Sequence, residues 1–188
     1  MLLQNKTAVV TGCNRGIGKK ILEVFSSNGA MIFACVRDVD DKFISYIDDL
    51  TKKFNNEIVP IQFDLNNESQ IKEAANTILS SKKSIDILIN NAATIHTAMF
   101  QMTSVKKLKE IFETNFFAQT VFTQYILKSM IKKKNGSILY ISSSSALDGN
   151  EGRSAYSSAK SALITQSKVL SRELGVHNIR VNTIAPGL

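Results

Sequence analysis

A tyrosine and a lysine four residues apart, in the segment Tyr156-Ser157-Ser158-Ala159-Lys160, are the side chains best suited to catalysis. On a helix, residues at this spacing share one face, so the phenol and the ammonium converge. A phenol alone is too weak an acid for efficient proton transfer at neutral pH, and a neighbouring ammonium favours its ionised form. The pair predicts acid–base chemistry, although Tyr-x-x-x-Lys also arises by chance.

Four consecutive serines, Ser142 to Ser145, precede this pair and follow a predicted strand. A hydroxyl at the end of that strand is suited to hold a substrate carbonyl oxygen beside the tyrosine. Taken alone, a serine run is equally typical of a flexible loop. The serines therefore gain meaning only together with the other motifs.

A glycine-rich segment, Thr11-Gly12-Cys13-Asn14-Arg15-Gly16-Ile17-Gly18, follows the first predicted strand and opens the first predicted helix. Glycines let the backbone approach a pyrophosphate closely, and a helix N-terminus offers free N–H donors. In this context the segment favours dinucleotide binding over a plain tight turn.

The end of the second predicted strand indicates which cofactor is preferred. A site for a ribose diol carries an acidic residue there, but this chain has Val36 followed by Arg37. Arg15, in the glycine segment, is near enough to reach the same region, and two guanidiniums match the oxygens of a 2′-phosphate. The pattern predicts NADP(H), with NAD(H) less favoured. Asp38 weakens the argument, and Arg37 as a solvated loop charge is the alternative.

Short apolar runs alternate with longer helical patterns along the chain, as expected of parallel strands buried between helices. The predicted strands are Thr7–Thr11, Met31–Cys35, Ile58–Phe63, Ile85–Ile89, Ser137–Ile141 and Arg180–Ile184. The predicted helices lie near 17–28, 39–54, 67–81, 104–132 and 155–174. This order predicts an α/β fold with a doubly wound parallel sheet.

The helix predicted near 104–132 contains one polar position of special interest. Its apolar residues recur at spacings of three and four and predict a single buried stripe. The members of that stripe, all apolar except Gln119, are Leu108, Ile111, Phe112, Gln119, Phe122, Ile126 and Met130. Asn115 lies within it, and a buried amide without partners costs about 1–3 kcal/mol. Asn115 is therefore expected to have partners, structural or catalytic.

Composition limits the remaining possibilities. The 188 residues suit one domain, 1–188, and 44% hydrophobic residues suffice for a core. Two cysteines and two histidines predict neither a disulfide scaffold nor a metal site. The chain shows no secretory signal and no membrane span, so a cytoplasmic protein is expected. Lysines grouped at predicted helix ends explain the net charge of +7 better than nucleic-acid binding does.

Together, these motifs resemble the short-chain dehydrogenase/reductase family over essentially the whole chain. The shared motifs are the glycine pattern at 11–18, Asp64-Leu65 near the adenine, Asn90-Asn91-Ala92-Ala93 after the fourth strand, Asn115, Ser143, Tyr156 with Lys160, and Arg180-Val181-Asn182 with Pro186-Gly187 around the sixth strand. The resemblance implies a three-layer Rossmann fold.

The resemblance also implies roles for individual residues. Ser143 would orient the substrate carbonyl, Tyr156 would donate a proton to its oxygen, and Lys160 would hold the nicotinamide ribose. Asn115 would hold a water that links Lys160 to solvent. The implied cofactor-binding residues are Gly12, Asn14, Arg15, Gly16, Ile17, Gly18, Arg37, Asp64, Leu65, Asn91, Ala92, Ala93, Tyr156, Lys160, Pro186 and Gly187.

Three features depart from the family pattern. Ala93 replaces a glycine, and Ala118 stands where many members have one. If residue 93 needed a positive φ, alanine would cost energy there. The family also usually continues beyond the sixth strand with a substrate lid and a seventh strand, which these 188 residues do not include. The sequence is either a genuine truncation or part of a longer chain, and in the first case the sixth strand is expected to be an exposed edge.

The expected function is the NADPH-dependent reduction of a ketone to an alcohol. Reductases of 3-oxoacyl groups on acyl carrier protein, in fatty acid biosynthesis, are the members it most resembles, and a basic surface suits that acidic partner. Sugar, polyol or small-ketone reductases and a non-catalytic NADP(H)-binding protein are the alternatives. The resemblance implies a homodimer or homotetramer formed through helices 104–132 and 155–174, with no nucleic-acid or membrane partner.

Overall fold

A six-stranded parallel sheet forms the centre of the computed structural model, which describes residues 1–187. Its strands are β1 Thr7–Thr11, β2 Met31–Val36, β3 Ile58–Gln62, β4 Ile87–Asn90, β5 Gly136–Ile141 and β6 Ile179–Ile184. They lie in the order β3-β2-β1-β4-β5-β6, and every neighbouring pair is parallel. The predicted doubly wound α/β sheet is confirmed, with β3 and β6 at the edges of the described sheet.

Seven helices connect the strands within residues 1–187. They are α1 Gly16–Ser27, α2 Asp41–Phe54, α3 Glu68–Ser80, α4 Val105–Phe112, α5 Ala118–Lys133, α6 Ser145–Asp148 and α7 Ser154–Leu174. Helices α1 and α2 cover one face of the sheet, whereas α3, α5 and α7 cover the other. None of the described helices is long and apolar enough to cross a membrane.

Burial on both faces explains why the strands are almost wholly apolar. Every residue of β1 is buried, and β2 is buried from Ile32 to Val36. A strand covered by helices on both sides has no solvent-facing side on which polar residues would be favoured. The strand order reverses between β1 and β4, and this reversal opens a crevice at the carboxyl ends of the strands, where ligands bind in such sheets.

Several predicted boundaries differ from the structure. β4 begins at Ile87 rather than Ile85, β3 ends at Gln62, and β2 continues to Val36. The serine run leads into the short helix α6, which was not predicted. These differences arise at element ends, where a few hydrogen bonds to neighbouring elements decide the outcome.

The prediction of one continuous helix near 104–132 is wrong in one respect. A π-helical segment, Glu113–Phe117, separates α4 from α5. This wider turn offsets the two helices, so that α4 packs against α7 while α5 packs on the sheet. The predicted buried stripe therefore fails at its start, where Leu108 is 39% exposed, but holds from Ile111 onward.

Candidate active site

The glycine loop after β1 packs closely against the loop after β4 and leaves room for a ligand. Gly12 and Gly16 have positive φ values of 66° and 54°. A side chain at Gly18 would collide with the Gly12 carbonyl and lie 2.5 Å from the Asn91 amide nitrogen. At Gly16 a side chain would meet no atom within 4 Å, because this glycine faces open space. The loop thus leaves the N-terminus of α1 accessible.

Hydrogen bonds tie this loop to the end of β4. The Thr11 hydroxyl donates to the Ile89 carbonyl at 3.3 Å and accepts from the N–H groups of Asn91 and Ala92 at 3.0 and 3.1 Å. The Asn91 amide donates to the carbonyls of Thr11 and Gly12, both at 2.9 Å. These hydrogen bonds join the glycine loop to the loop after β4, and both loops line the cleft.

The carboxyl ends of β2 and β3 form the adenosine side of the cleft. Val36 ends β2, and the Arg37 side chain, 72% exposed, lies 3.1 Å from Asp38. An exposed pair of this kind is weak, so Arg37 remains available to a stronger anion. After β3, the Asp64 carboxylate accepts hydrogen bonds from the backbone and side chain of Asn66, which stabilises that loop.

The catalytic side of the cleft lies where β5 ends and α7 begins. The Lys160 ammonium, 1% exposed, donates to the Ile141 carbonyl at 2.6 Å and lies 5.9 Å from the centre of the Tyr156 ring. The Ser142 hydroxyl donates to the Lys160 carbonyl at 2.9 Å. Burial lowers the pKa of Lys160 to about 8, because a charged ammonium is poorly solvated there.

The Ser143 hydroxyl lies beside the cleft and exchanges a hydrogen bond with the Ser145 hydroxyl at 2.7 Å. The backbone N–H of Ser145 also donates to it, at 3.3 Å. These contacts orient a hydroxyl that remains accessible from the cleft. The Tyr156 side chain is buried against Ile111 and Ala159.

Asn115 does not line the cleft. Its side chain lies behind the loop after β4, where it accepts from the Thr94 N–H at 2.9 Å and donates to the Thr94 carbonyl at 2.8 Å. Gln119 supports the same loop by donating to the Ala92 carbonyl at 2.6 Å. The partners expected for a buried amide are therefore present and structural, whereas the water link to Lys160 stays a prediction.

The two alanines that depart from the family pattern fit without backbone strain. Ala93 is not among the residues with positive φ in the described chain, so the predicted condition for a cost is not met. Ala118 is fully buried in the core on the α5 face of the sheet. Neither methyl group requires a distortion of the cleft.

All these elements enclose one cleft of about 1080 Å³. It is lined by every predicted cofactor-binding residue and by Ser143, Tyr156 and Lys160. Sequence reasoning missed other lining residues, among them Thr94, Ile95, Lys107 and Arg153. The spacing in the sequence could have identified Arg153, because it precedes Tyr156 by about one helical turn and is therefore expected near the same end of the helix.

Comparison with known proteins identifies the family. A model of the short chain dehydrogenases matches residues 6–188. The chain belongs to the short-chain dehydrogenase family. It is 33% identical over 187 residues to the 3-oxoacyl-[acyl-carrier-protein] reductase FabG of Chlamydia muridarum, covering 99% of this chain and 75% of that protein. The corresponding reductase of Aquifex aeolicus is 32% identical, with 98% and 74% covered.

A solved structure of this family has the same fold. A protein of Beutenbergia cavernae, provisionally assigned as an NAD(P)-dependent gluconate 5-dehydrogenase and crystallised with NADP at low occupancy, superposes with a TM-score of 0.91. The two sequences are 27% identical, and the match covers 98% of this chain and 73% of the other. The 188-residue chain is therefore an oxidoreductase, and its fold is one that binds nicotinamide dinucleotides.

The cleft fits a nicotinamide dinucleotide. Open space beside Gly16, at the start of α1, suits a pyrophosphate, because the N–H groups of a helix N-terminus bind anions. Lys160 is a buried cation whose nearest hydrogen-bond partner is a neutral carbonyl. In this family member, Lys160 and Tyr156 would hold the nicotinamide end, and Arg15, Arg37 and Asp64 the adenosine end.

Proposed function

We propose that this short-chain dehydrogenase reduces a ketone to an alcohol with NADPH. The observation that supports this most directly is that Ser143, Tyr156 and Lys160 line the same cleft as the glycine loop. Three groups able to hold a carbonyl, supply a proton and carry a positive charge therefore face the space that suits a dinucleotide.

The side chains divide the proposed reaction between them. Ser143 donates its hydroxyl hydrogen to the carbonyl oxygen of the substrate and so orients the carbonyl group. Tyr156 transfers its phenolic proton to that oxygen as the carbon is reduced. Lys160 stabilises the phenolate that remains, because its positive charge lies on the same helix face, 5.9 Å from the centre of the ring. When bound, the nicotinamide supplies the hydride that the carbonyl carbon receives.

Replacing Tyr156 by phenylalanine tests the chemistry. We expect turnover of a panel of ketones and 3-oxoacyl thioesters to fall by about 10²- to 10⁴-fold, because the proton donor is lost. Binding of NADPH, followed by nicotinamide fluorescence, should persist. Tyr125→Phe, at a half-buried tyrosine of α5 that does not line the cleft, is the matched control. A parent protein that binds NADPH but reduces nothing in the panel would instead support a non-catalytic binding protein.

The preference for NADPH is part of the proposal and rests on Arg15 and Arg37. No acidic side chain ends β2, where Val36 is followed directly by Arg37. Charge-assisted hydrogen bonds contribute about 1.5–3 kcal/mol each, so Arg37→Gln should weaken NADPH binding by about 10- to 100-fold. NADH binding should change little, and Arg172→Gln, at the far end of α7, should change neither. Equal binding of both cofactors by the parent would contradict this preference.

For the substrate, we propose a 3-oxoacyl group on acyl carrier protein. Relatives named as reductases of that substrate and the net charge of +7 support this choice, because a basic surface steers an acidic partner. Lys106→Glu, on α4, should reduce kcat/KM for the carrier-bound substrate but not for a short thioester. Lys52→Glu, on α2, is the control. No loss in Lys106→Glu would count against the carrier protein.

A sugar or polyol ketone is the second candidate. Its support is the structural likeness to the protein provisionally assigned as a gluconate 5-dehydrogenase. Reduction of a keto-sugar acid faster than of any 3-oxoacyl thioester would favour it.

We also propose that two or four copies associate through the surfaces of helices 104–132 and 155–174. Exposed apolar side chains on these neighbouring helices, Phe117 and Val169, support this proposal. Light scattering should give the mass of a dimer or tetramer, and Phe117→Glu should shift it toward the monomer. Val24→Glu, on α1, is the control. A monomeric parent would refute the association.

A further inference from the structure

Arg153 stands at the substrate side of the cleft. It directly precedes α7 and lies three residues before Tyr156. Its side chain lines the same cleft as Ser143, Tyr156 and Thr94. An arginine that lines the cleft about one helical turn before Tyr156 lies close to the place proposed for the reacting carbonyl.

The backbone around Arg153 is held in place by two loops. Its N–H donates to the Asn150 carbonyl at 3.1 Å, which closes a turn. Gly152, with φ of 70°, accepts a hydrogen bond from the Ala98 N–H at 2.8 Å. The turn before α7 is therefore hydrogen-bonded to the loop after β4, which defines the backbone position of Arg153.

The guanidinium of Arg153 has no partner within residues 1–187: no hydrogen bond or ion pair joins it to another side chain there. Two other cations that line the cleft have acidic neighbours, since Lys107 lies 3.0 Å from Glu110 and Arg37 lies 3.1 Å from Asp38. Arg15 and Lys109 also line the cleft and join no ion pair among residues 1–187. Arg153 is also partly buried. A partly buried charge is costly unless an opposite charge compensates it.

We propose that Arg153 binds an oxyanion of the substrate, a carboxylate or a phosphate close to the reacting carbonyl. The planar fork of N–H donors fits the oxygens of either group. In this proposal Arg153 is a specificity residue, which binds the substrate and takes no part in proton transfer. The inference rests on the proposed carbonyl reduction. It favours the second candidate, a keto-sugar acid, over a 3-oxoacyl thioester, whose reacting carbonyl has no oxyanion beside it.

Matched pairs of small ketones test the inference. Acetoacetate is compared with methyl acetoacetate, and hydroxyacetone phosphate with hydroxyacetone. The parent should favour the anion of at least one pair in kcat/KM. Arg153→Gln should lower kcat/KM for that anion by about 10- to 100-fold and leave the neutral partner within about 2-fold. The pair that responds identifies the carboxylate or the phosphate. Arg153→Lys should retain part of the effect, and Arg172→Gln none.

Several outcomes would overturn the inference while leaving the proposed function intact. These are equal losses for neutral and anionic ketones, a parent that favours neutral ketones or thioesters, and a loss of NADPH affinity in Arg153→Gln. If no ketone is reduced, the proposed function fails and binding becomes the measure. Acetoacetate or hydroxyacetone phosphate should then raise the Tm of the parent but not of Arg153→Gln, and the absence of such a difference refutes the role of Arg153.

Discussion

Two buried charges, Asp86 and Lys160, lie at opposite ends of the same sheet and differ in how they are compensated. Asp86 directly precedes β4, at the amino ends of the strands, and is 5% exposed. Lys160 contacts the last residue of β5, at the carboxyl ends, and is 1% exposed. Both are expensive to bury, but only one is paired with opposite charge.

Asp86 is surrounded by donors that belong to the protein itself. The Lys133 ammonium donates to it at 2.6 Å, the Thr7 N–H donates at 2.9 Å, and Lys6 lies 3.7 Å away. Burial acts to raise the pKa of Asp86, but the bond from Lys133 and the other contacts outweigh it, so the net pKa is lowered. This carboxylate joins the start of β1 to the end of α5.

Lys160 has no carboxylate near it in the described chain, only the Ile141 carbonyl and the Tyr156 ring. Burial without a counter-charge is what lowers its pKa. A paired buried charge stabilises the fold, whereas an unpaired one costs stability and is available to a ligand. The contrast therefore separates a structural charge from a functional one.

The largest expected effect is that of Lys160→Met. Because Lys160 supports the proposed proton donor, ketone reduction should fall by about a thousandfold. The free protein should nevertheless become more stable in urea unfolding, since an unpaired ammonium leaves the interior. Lys168→Met, on the exposed side of α7, should change neither quantity. A loss of stability in Lys160→Met would show that the bond to Ile141 is structural and would break the contrast.

Asp86→Asn should act in the opposite sense. Removing the carboxylate leaves Lys133 without its partner and weakens the bond to Thr7, so the free energy of unfolding should fall by about 3 kcal/mol. NADPH affinity should remain that of the parent, because Asp86 is at the other end of the sheet. Asp48→Asn, exposed on α2, is the control. An unchanged free energy of unfolding for Asp86→Asn would contradict the structural role.

The pH dependence of stability sharpens the contrast. With a pKa near 8 in the folded state and about 10.4 in the unfolded state, Lys160 releases its proton earlier when folded. The unfolded state then binds more protons between these values, so stability should rise by about 2 kcal/mol from pH 7 to pH 10. This rise should be absent in Lys160→Met. Because other groups titrate above pH 9, the difference between the two proteins is the quantity to measure.

Asp86 predicts a loss of stability at the acid end. Its folded-state pKa is lowered, so its contribution is complete above about pH 4, the unfolded-state value, and disappears as the pH falls through the folded-state value. Acid unfolding of the parent and of Asp86→Asn should therefore converge as the pH decreases. A constant gap between the two would show that charge is not what Asp86 contributes.

The smallest effect distinguishes the two lysines around Asp86. Lys6 is 46% exposed and 3.7 Å away, so Lys6→Gln should lower the free energy of unfolding by only a few tenths of a kcal/mol, about the value of a surface pair. Lys133→Gln, which removes the 2.6 Å bond, should cost about 1 kcal/mol. Equal costs would mean that long-range charge, and not the direct bond, stabilises Asp86.

Much of the fold was predictable from local patterns. Apolar runs such as Thr7–Thr11 and the glycine segment at 11–18 carry their information within a few residues, because strand burial and positive φ act locally. The π-helical segment at 113–117 was not predictable in this way. It depends on how α4 packs against α7 and on the bonds from Asn115 to Thr94, which are tertiary contacts.

Local sequence patterns specify the order of strands and helices, and therefore which residues follow the carboxyl ends of the strands. Which charges are paired depends instead on the tertiary structure. Asp86 meets Lys133, 47 residues away, whereas Lys160 and Arg153 meet no carboxylate within residues 1–187. Side-chain spacing along a chain specifies neighbours on one helix or strand. The pairing of distant charges requires the packing of separate elements, and it is this pairing that distinguishes the structural Asp86 from Lys160 and Arg153 in the cleft.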